Sequence, residues 1–119
     1  MAILMIEDEF LVAAEIRFHL ARAGFVEVEH AATERDALTA IGARDWDAAV
    51  VDANLNGRGI DAIASALSEK RVPFVIVTGY GRQALPRSVS SVPVVDKPFH
   101  PQTLVDTVTR LCSHGSASP

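Results

Sequence analysis

Cysteine is nearly absent: Cys112 is the single one in the chain, which excludes an intramolecular disulfide. No group of Cys and His residues has the spacing of a zinc site. No apolar run approaches the roughly 20 residues that a membrane span requires. No charged n-region precedes an apolar h-region, so a secretory signal is not legible either. Basic charge is also scarce, with Lys+Arg 11 against Asp+Glu 15 and a formal net charge of −4. A general nucleic-acid or anionic-membrane binder needs a basic face. The expectation is a cytoplasmic protein that touches neither nucleic acid nor membrane directly. What is present is ordinary for a folded domain: 49% apolar and 22% charged residues in 119 positions. That length suits one domain with its own core, without metal or disulfide staples.

Short apolar runs alternate with helical stretches. Ala2-Ile3-Leu4-Met5-Ile6 is continuously apolar and ends in Glu7-Asp8-Glu9, the pattern of a buried parallel strand. Residues 9–23 hold no Gly or Pro and read as a helix closed by Gly24. Val26-Glu27-Val28-Glu29 alternates, as at a sheet edge. Thr33 is placed to cap a helix running to about Gly42. Ala48-Ala49-Val50-Val51 predicts a third strand ending at Asp52, residues 60–70 a helix, and Pro73-Phe74-Val75-Ile76-Val77 a fourth strand ending at Thr78. Val92 to Val95 predicts a fifth strand before Asp96-Lys97-Pro98, and residues 101–112 a last helix. Between Gly79 and Ser91, two Gly, Pro86 and three Ser argue against a full helix. The expected organisation is one domain over 1–112 and a flexible tail over 113–119. Strands alternating with helices imply βαβ units and a parallel sheet covered on both faces.

Chemistry-bearing groups recur where strands end: Glu7 and Asp8, then Asp52, Thr78 and Lys97. In an open parallel sheet these ends share one edge, where ligands bind. Clustered carboxylates raise each other's pKa unless a cation joins them. Oxygen donors with room for water suit Mg²⁺. A carboxylate in such a site can attack a phosphoryl group and become an acyl phosphate, with Lys97 and Thr78 holding the phosphoryl oxygens. Any one of these residues alone is more often a solvated cap. Five of them at four strand ends form a pocket with Asp52 as the phosphoryl acceptor.

Ile6-Glu7-Asp8-Glu9, Asp52 after an apolar strand, Val77-Thr78-Gly79 and Asp96-Lys97-Pro98-Phe99 together resemble the receiver domain of two-component response regulators. The resemblance spans about residues 2–112. It implies a flavodoxin-like five-stranded sheet of order 2-1-3-4-5 with helices on both faces, the fourth helix short or irregular. It implies a signalling domain rather than a conventional enzyme, taking a phosphoryl group from a histidine kinase or returning it to a phosphotransfer protein. It also implies that Glu7, Asp8, Asp52 and the Asn54 carbonyl hold Mg²⁺, that Thr78 is the switch hydroxyl and that Lys97 contacts the phosphoryl group. Val77-Thr78-Gly79-Tyr80-Gly81 is similar to the subgroup with a Phe-Ala-Thr-Gly motif on strand four, whose partners are often HWE-type kinases, although Ile76-Val77 stands for Phe-Ala. Val94 occupies the place of the usual switch aromatic, Asn56 that of a common Pro, and Gly59 falls one residue early. Tyr80 is therefore a candidate for the moving ring.

Rival readings fare less well. Gly57-Arg58-Gly59-Ile60-Asp61-Ala62 loosely matches a dinucleotide loop, but no acid lies between Glu69 and Asp96. A phosphatase of the haloacid dehalogenase type wants a second Asp where Asn54 stands. Gly79-Tyr80-Gly81 is similar to a potassium filter, without a helix to hold one. A phosphorylation-independent scaffold with the same fold stays open. On the first helix, Val12, Ile16, Leu20 and Ala23 form one stripe for the sheet. Leu11, Ala14, Phe18 and Ala21 form a second apolar row on another face, which makes Leu11 and Phe18 candidates for partner contact. The bland alternative is that Phe18 is core.

Overall fold

The computed structural model describes residues 1–57 and 59–117; Arg58 and the tail residues Ser118 and Pro119 lie outside the described residues. Five parallel strands form one sheet of order β2-β1-β3-β4-β5. They are β1 (Ala2–Ile6), β2 (Glu27–Ala31), β3 (Ala48–Asp52), β4 (Phe74–Thr78) and β5 (Val94–Asp96). Four α-helices complete the fold: α1 (Phe10–Arg22), α2 (Glu34–Ala43), α3 (Asp61–Glu69) and α4 (Pro101–Ala117). This is the flavodoxin-like architecture expected from the alternation of elements.

The apolar strands are buried on both faces, and the two-residue strand period divides their side chains between two cores. Leu4, Ile6, Val51 and Ile76 pack with Ile41, Trp46, Ile63 and Leu67 on the α2–α3 side. Ile3, Met5, Val50, Val75 and Val77 pack with Ile16, Leu20, Leu104 and Val108 on the α1–α4 side. Each fully buried aliphatic side chain stabilises the fold by about 1.5–3 kcal/mol relative to an exposed one. The helix ends follow the expected chemistry. Thr33 accepts the Asp36 N–H at 3.1 Å and caps α2. After α1, Gly24 sits at φ 101° while the Phe25 N–H returns to the Leu20 carbonyl at 2.9 Å, the left-handed closure that glycine supplies without a Cβ clash.

Several boundaries and one helix face differ from the sequence reading; β2, for example, is Glu27–Ala31 rather than Val26 to Glu29. β5 begins at Val94 rather than Val92, because Pro93 has no N–H for the ladder; only its carbonyl takes part, accepting the Ile76 N–H at 2.9 Å. α4 runs on to Ala117, five residues past the expected end at Cys112. Extending an existing helix costs far less than starting one, so weak formers such as Ser113 can follow. The buried stripe of α1 is Ala13, Ile16 and Leu20; Val12 is half-buried and Ala23 exposed.

The segment after β4 has no α-helix. Two single 3₁₀ turns, Arg82–Ala84 and Arg87–Val89, take its place. Val89 is its buried anchor. The Arg82 guanidinium donates to the carbonyls of Val89, Ser90 and Val92, satisfying groups that a helix would otherwise bond.

Candidate functional site

The carboxyl ends of β1, β3, β4 and β5 meet at one edge of the sheet, as parallel pairing requires. Ile6 stands beside Val51, Asp52 beside Val77, and Thr78 beside Asp96. Continuous apolar burial ends there on all the inner strands, so the first polar residue after each is delivered to a common place. Asp8, Asp52, Asn54, Thr78, Tyr80 and Lys97 line a cavity of about 320 Å³. Glu7 lies beneath it, 1% exposed.

Carboxylate oxygens of Glu7, Asp8 and Asp52 lie within 4.8 Å of one another. The Lys97 ammonium faces them, 3.3 Å from Glu7 Oε1 and 3.5 Å from Asp52 Oδ1. Burial first, and then the neighbouring Asp52, push Glu7 up from 4.5 to about 7, even though the Glu9 N–H and the Lys97 charge pull the other way. Burial pushes Asp8 up as well, but hydrogen bonding with Asp52 and the Asn56 N–H outweighs it and holds Asp8 below its usual value. Burial would lower Lys97; the charges of Asp52 and Glu7 overcome this and keep it above the ordinary lysine range. Three carboxyl groups therefore face a single ammonium. The cluster's donors are all hard oxygens on half-buried or buried side chains, and this set fits a divalent cation such as Mg²⁺.

Backbone amides complete the cradle. The Asn54 N–H donates to Asp52 Oδ1 at 3.1 Å and the Glu9 N–H to Glu7 Oε2 at 3.1 Å. Thr78 is buried, and its Oγ1 accepts the Tyr80 N–H at 3.1 Å. The Lys97 N–H donates to the Thr78 carbonyl at 2.7 Å, fixing β5's end beside β4's. The hydroxyl proton of Thr78 can thus turn to an oxyanion in the cavity.

The structure brings Glu7, Asp8, Asp52, Asn54, Thr78 and Lys97 together and puts Tyr80, 74% exposed, on the rim. Leu11 and Phe18 are elsewhere, on the outer face of α1, 86% and 56% exposed. Phe18 is therefore not core. It lines a second cavity of about 350 Å³ with Phe10, Arg17 and His30. Sequence reasoning passed over His30 and marked Asn56 only as standing in the place of a common Pro. His30 Nε2 donates to the Glu7 carbonyl at 2.7 Å and steadies the turn that carries the acids. Asn56 reaches Asp8 from a neighbouring loop. An asparagine beside Gly57 is a pair suited to positive φ.

With this geometry in view, the likeness to known proteins is specific. A family model described as the response regulator receiver domain matches residues 3–109. SdrG from Sphingomonas melonis Fr1 is 30% identical, with 92% of this chain and 94% of that chain covered and a TM-score of 0.80. The N-terminal domain of a response regulator/sensory box/GGDEF 3-domain protein from Carboxydothermus hydrogenoformans is 26% identical, with 98% of each chain covered and a TM-score of 0.85. A response regulator receiver protein from Sinorhizobium medicae WSM419 has the same fold at 20% identity and a TM-score of 0.81, over 96% of this chain and 95% of that one. A search of curated proteins found no match.

Proposed function

The chain belongs to the response regulator receiver domain family, and from that premise we propose that Asp52 accepts a phosphoryl group, in a magnesium-dependent reaction, from a histidine kinase or a phosphotransfer protein. Receiver domains are signalling domains of two-component systems and take phosphoryl groups from such donors. The observation that carries the reading to this chain is the convergence of Glu7, Asp8, Asp52 and Lys97 in one cluster. Asp52 Oδ attacks the phosphorus of a phosphohistidine. The new O–P bond forms as the P–N bond breaks, and the imidazole keeps the electron pair and takes up a proton. Lys97 neutralises charge on the phosphoryl oxygens, and Thr78 donates its hydroxyl proton to one of them. Glu7, Asp8, Asp52 and the Asn54 carbonyl are assigned to Mg²⁺, which when bound supplies positive charge to offset that of the carboxylates and the incoming phosphoryl group. Intact mass after incubation with acetyl phosphate and MgCl₂ tests the reading; absence of a phosphate adduct overturns it. A phosphorylation-independent scaffold is the less favoured reading, because it gives no reason for this complete constellation.

The output is assigned to protein contacts, without direct nucleic-acid binding, in the cytoplasm. Among the described residues no helix is long and apolar enough to cross a membrane. Val77-Thr78-Gly79-Tyr80 supports membership of the subgroup with a Phe-Ala-Thr-Gly-type motif, and with it an HWE-type kinase as donor. The exposed row on α1 is assigned to that partner. The double change Leu11→Ala and Phe18→Ala should leave folding and acetyl-phosphate labelling intact. It should slow transfer from the cognate kinase by about tenfold, since a contact anchor is worth roughly 1–2 kcal/mol or more. Kinase transfer at the wild-type rate in a well-folded variant removes this face from the mechanism.

Tyr80 is assigned as the ring that responds to phosphorylation, because its own N–H is bonded to the switch hydroxyl while Val94 offers no aromatic. Turning Thr78 toward a phosphoryl oxygen disturbs that bond. Amide exchange of residues 79–91 should therefore change when beryllofluoride and MgCl₂ are added. Identical exchange with and without them counts against a switch in this segment.

A further inference from the structure

Asn56 connects three loops at the edge of the cluster. It lies in the β3–α3 connection, between Leu55 and Ile60, which are both buried and pin that loop to the core. Its backbone is left-handed, φ 53°, and Gly57 follows at φ 77°. That geometry turns the Asn56 N–H toward Asp8 Oδ2, which it meets at 3.0 Å. The side-chain Nδ2 donates at 3.0 Å to the carbonyl of Ala32, on the loop between β2 and α2. Asp8 follows β1, so a single residue of the third loop braces the first through its backbone and the second through its side chain. Asn is among the few residues that visit positive φ readily. Both features that hold the brace in place, the left-handed backbone and the amide tie, are thus properties of this residue type.

We infer that Asn56 is a positioning residue that holds the Asp8 carboxylate among Glu7 and Asp52 by its left-handed backbone N–H, and so prepares the cluster for a divalent cation. The inference rests on the assignment of Asp8 as a ligand under the proposed function. Glu7 is fixed by burial and by Lys97, and Asp52 by its place at the end of β3. Asp8 is the least buried of the three carboxylates. Besides its hydrogen bonding with Asp52, Glu7 and its own backbone, Asp8 is held by a loop distant in sequence. The Asn56 bond goes to Oδ2.

Calorimetric titration of the full chain with MgCl₂, without any phosphoryl donor, tests this. Asn56→Gly keeps the positive φ and the N–H but loses the tie to Ala32. Asn56→Ala keeps the N–H but strains the left-handed backbone. Asn56→Pro removes the N–H and cannot reach positive φ. The expected order of Mg²⁺ affinity is wild type, then Gly close behind, then Ala, then Pro. Pro should be weaker by about tenfold, as for one lost hydrogen bond to a charged group. A role confined to the side-chain tie makes Gly and Ala equal, and overturns the inference. So does unchanged or tighter Mg²⁺ binding by folded Ala and Pro variants. If the Pro variant does not fold, the Gly–Ala difference decides alone. Failure of acetyl phosphate to label the wild type overturns the proposed function, while the metal titration still reads the positioning role.

Discussion

Asp52→Asn gives no phosphate adduct with acetyl phosphate and MgCl₂, and in EDTA it melts at or above the wild-type temperature. The two halves of this expectation come from the same crowding. Asp52 is buried with Glu7 and Asp8 close by, and its charge is one reason Glu7 is pushed up to about 7. Asparagine keeps the shape and an Oδ1 that can still accept the Asn54 N–H and face Lys97. It removes one of three like charges from a site of low polarisability. What it cannot do is form an acyl phosphate. Loss of a carboxylate also weakens the cation site, so the rise in melting temperature on adding MgCl₂ should shrink relative to wild type. Intact mass and a thermal melt with and without MgCl₂ read all three effects. An unfolded variant makes Asp52 a structural acid. A surviving adduct moves the acceptor to another residue.

The proposed acceptor stands out in the sequence because burial in a parallel sheet is two-sided. Runs such as Ala48-Ala49-Val50-Val51 cannot tolerate a carboxylate within them, so Asp52 marks both a strand end and the sheet edge. The same logic picks out Glu7 and Thr78, whereas Lys97 lies one residue past β5, an edge strand that is only partly buried. The logic failed where a bond runs from the backbone of one loop to a side chain of another. The Asn56 N–H to Asp8 joins residues 48 apart, and no local pattern encodes that pairing. The segment after β4 was only half legible. Gly79, Gly81 and Pro86 argue against a full helix, but the Arg82 bonds that organise it depend on where the chain returns at Val92. On α1 the stripe was set one residue off at its start. Val12 and Ala13 lie about 100° apart on the helix, and apolarity alone does not say which of them faces the sheet. The exposed row opposite was correctly placed, since Leu11 and Phe18 share neither the Ile16 nor the Leu20 face.

Lys97→Ala is expected to destabilise the fold, and the cost depends on pH. The ammonium is the cation that faces Glu7 and Asp52 at 3.3 and 3.5 Å. Removing one partner of a fully buried pair costs about 3–5 kcal/mol and of an exposed pair about 0–1 kcal/mol; for a side chain 23% exposed, a loss of about 2–3 kcal/mol is expected near pH 8. Glu7 sets the window. Its folded pKa, about 7, already lies above the 4.5 of an unperturbed Glu. A carboxyl raised in this way favours the folded state below pH 4.5, and that advantage is lost as pH rises through 7. Lys97 opposes the shift, so without it the Glu7 pKa climbs further and the loss on alkalinisation deepens. The variant should therefore lie near wild type in urea melts at pH 5 and fall well below it at pH 8, both in EDTA. MgCl₂ should restore part of the deficit at pH 8, because a cation bound to the same carboxylates replaces the missing charge. An equal deficit at pH 5 and pH 8 would mean that Lys97 contributes packing along its aliphatic stem rather than charge. The assignment of its ammonium to the phosphoryl oxygens would then lose its electrostatic basis.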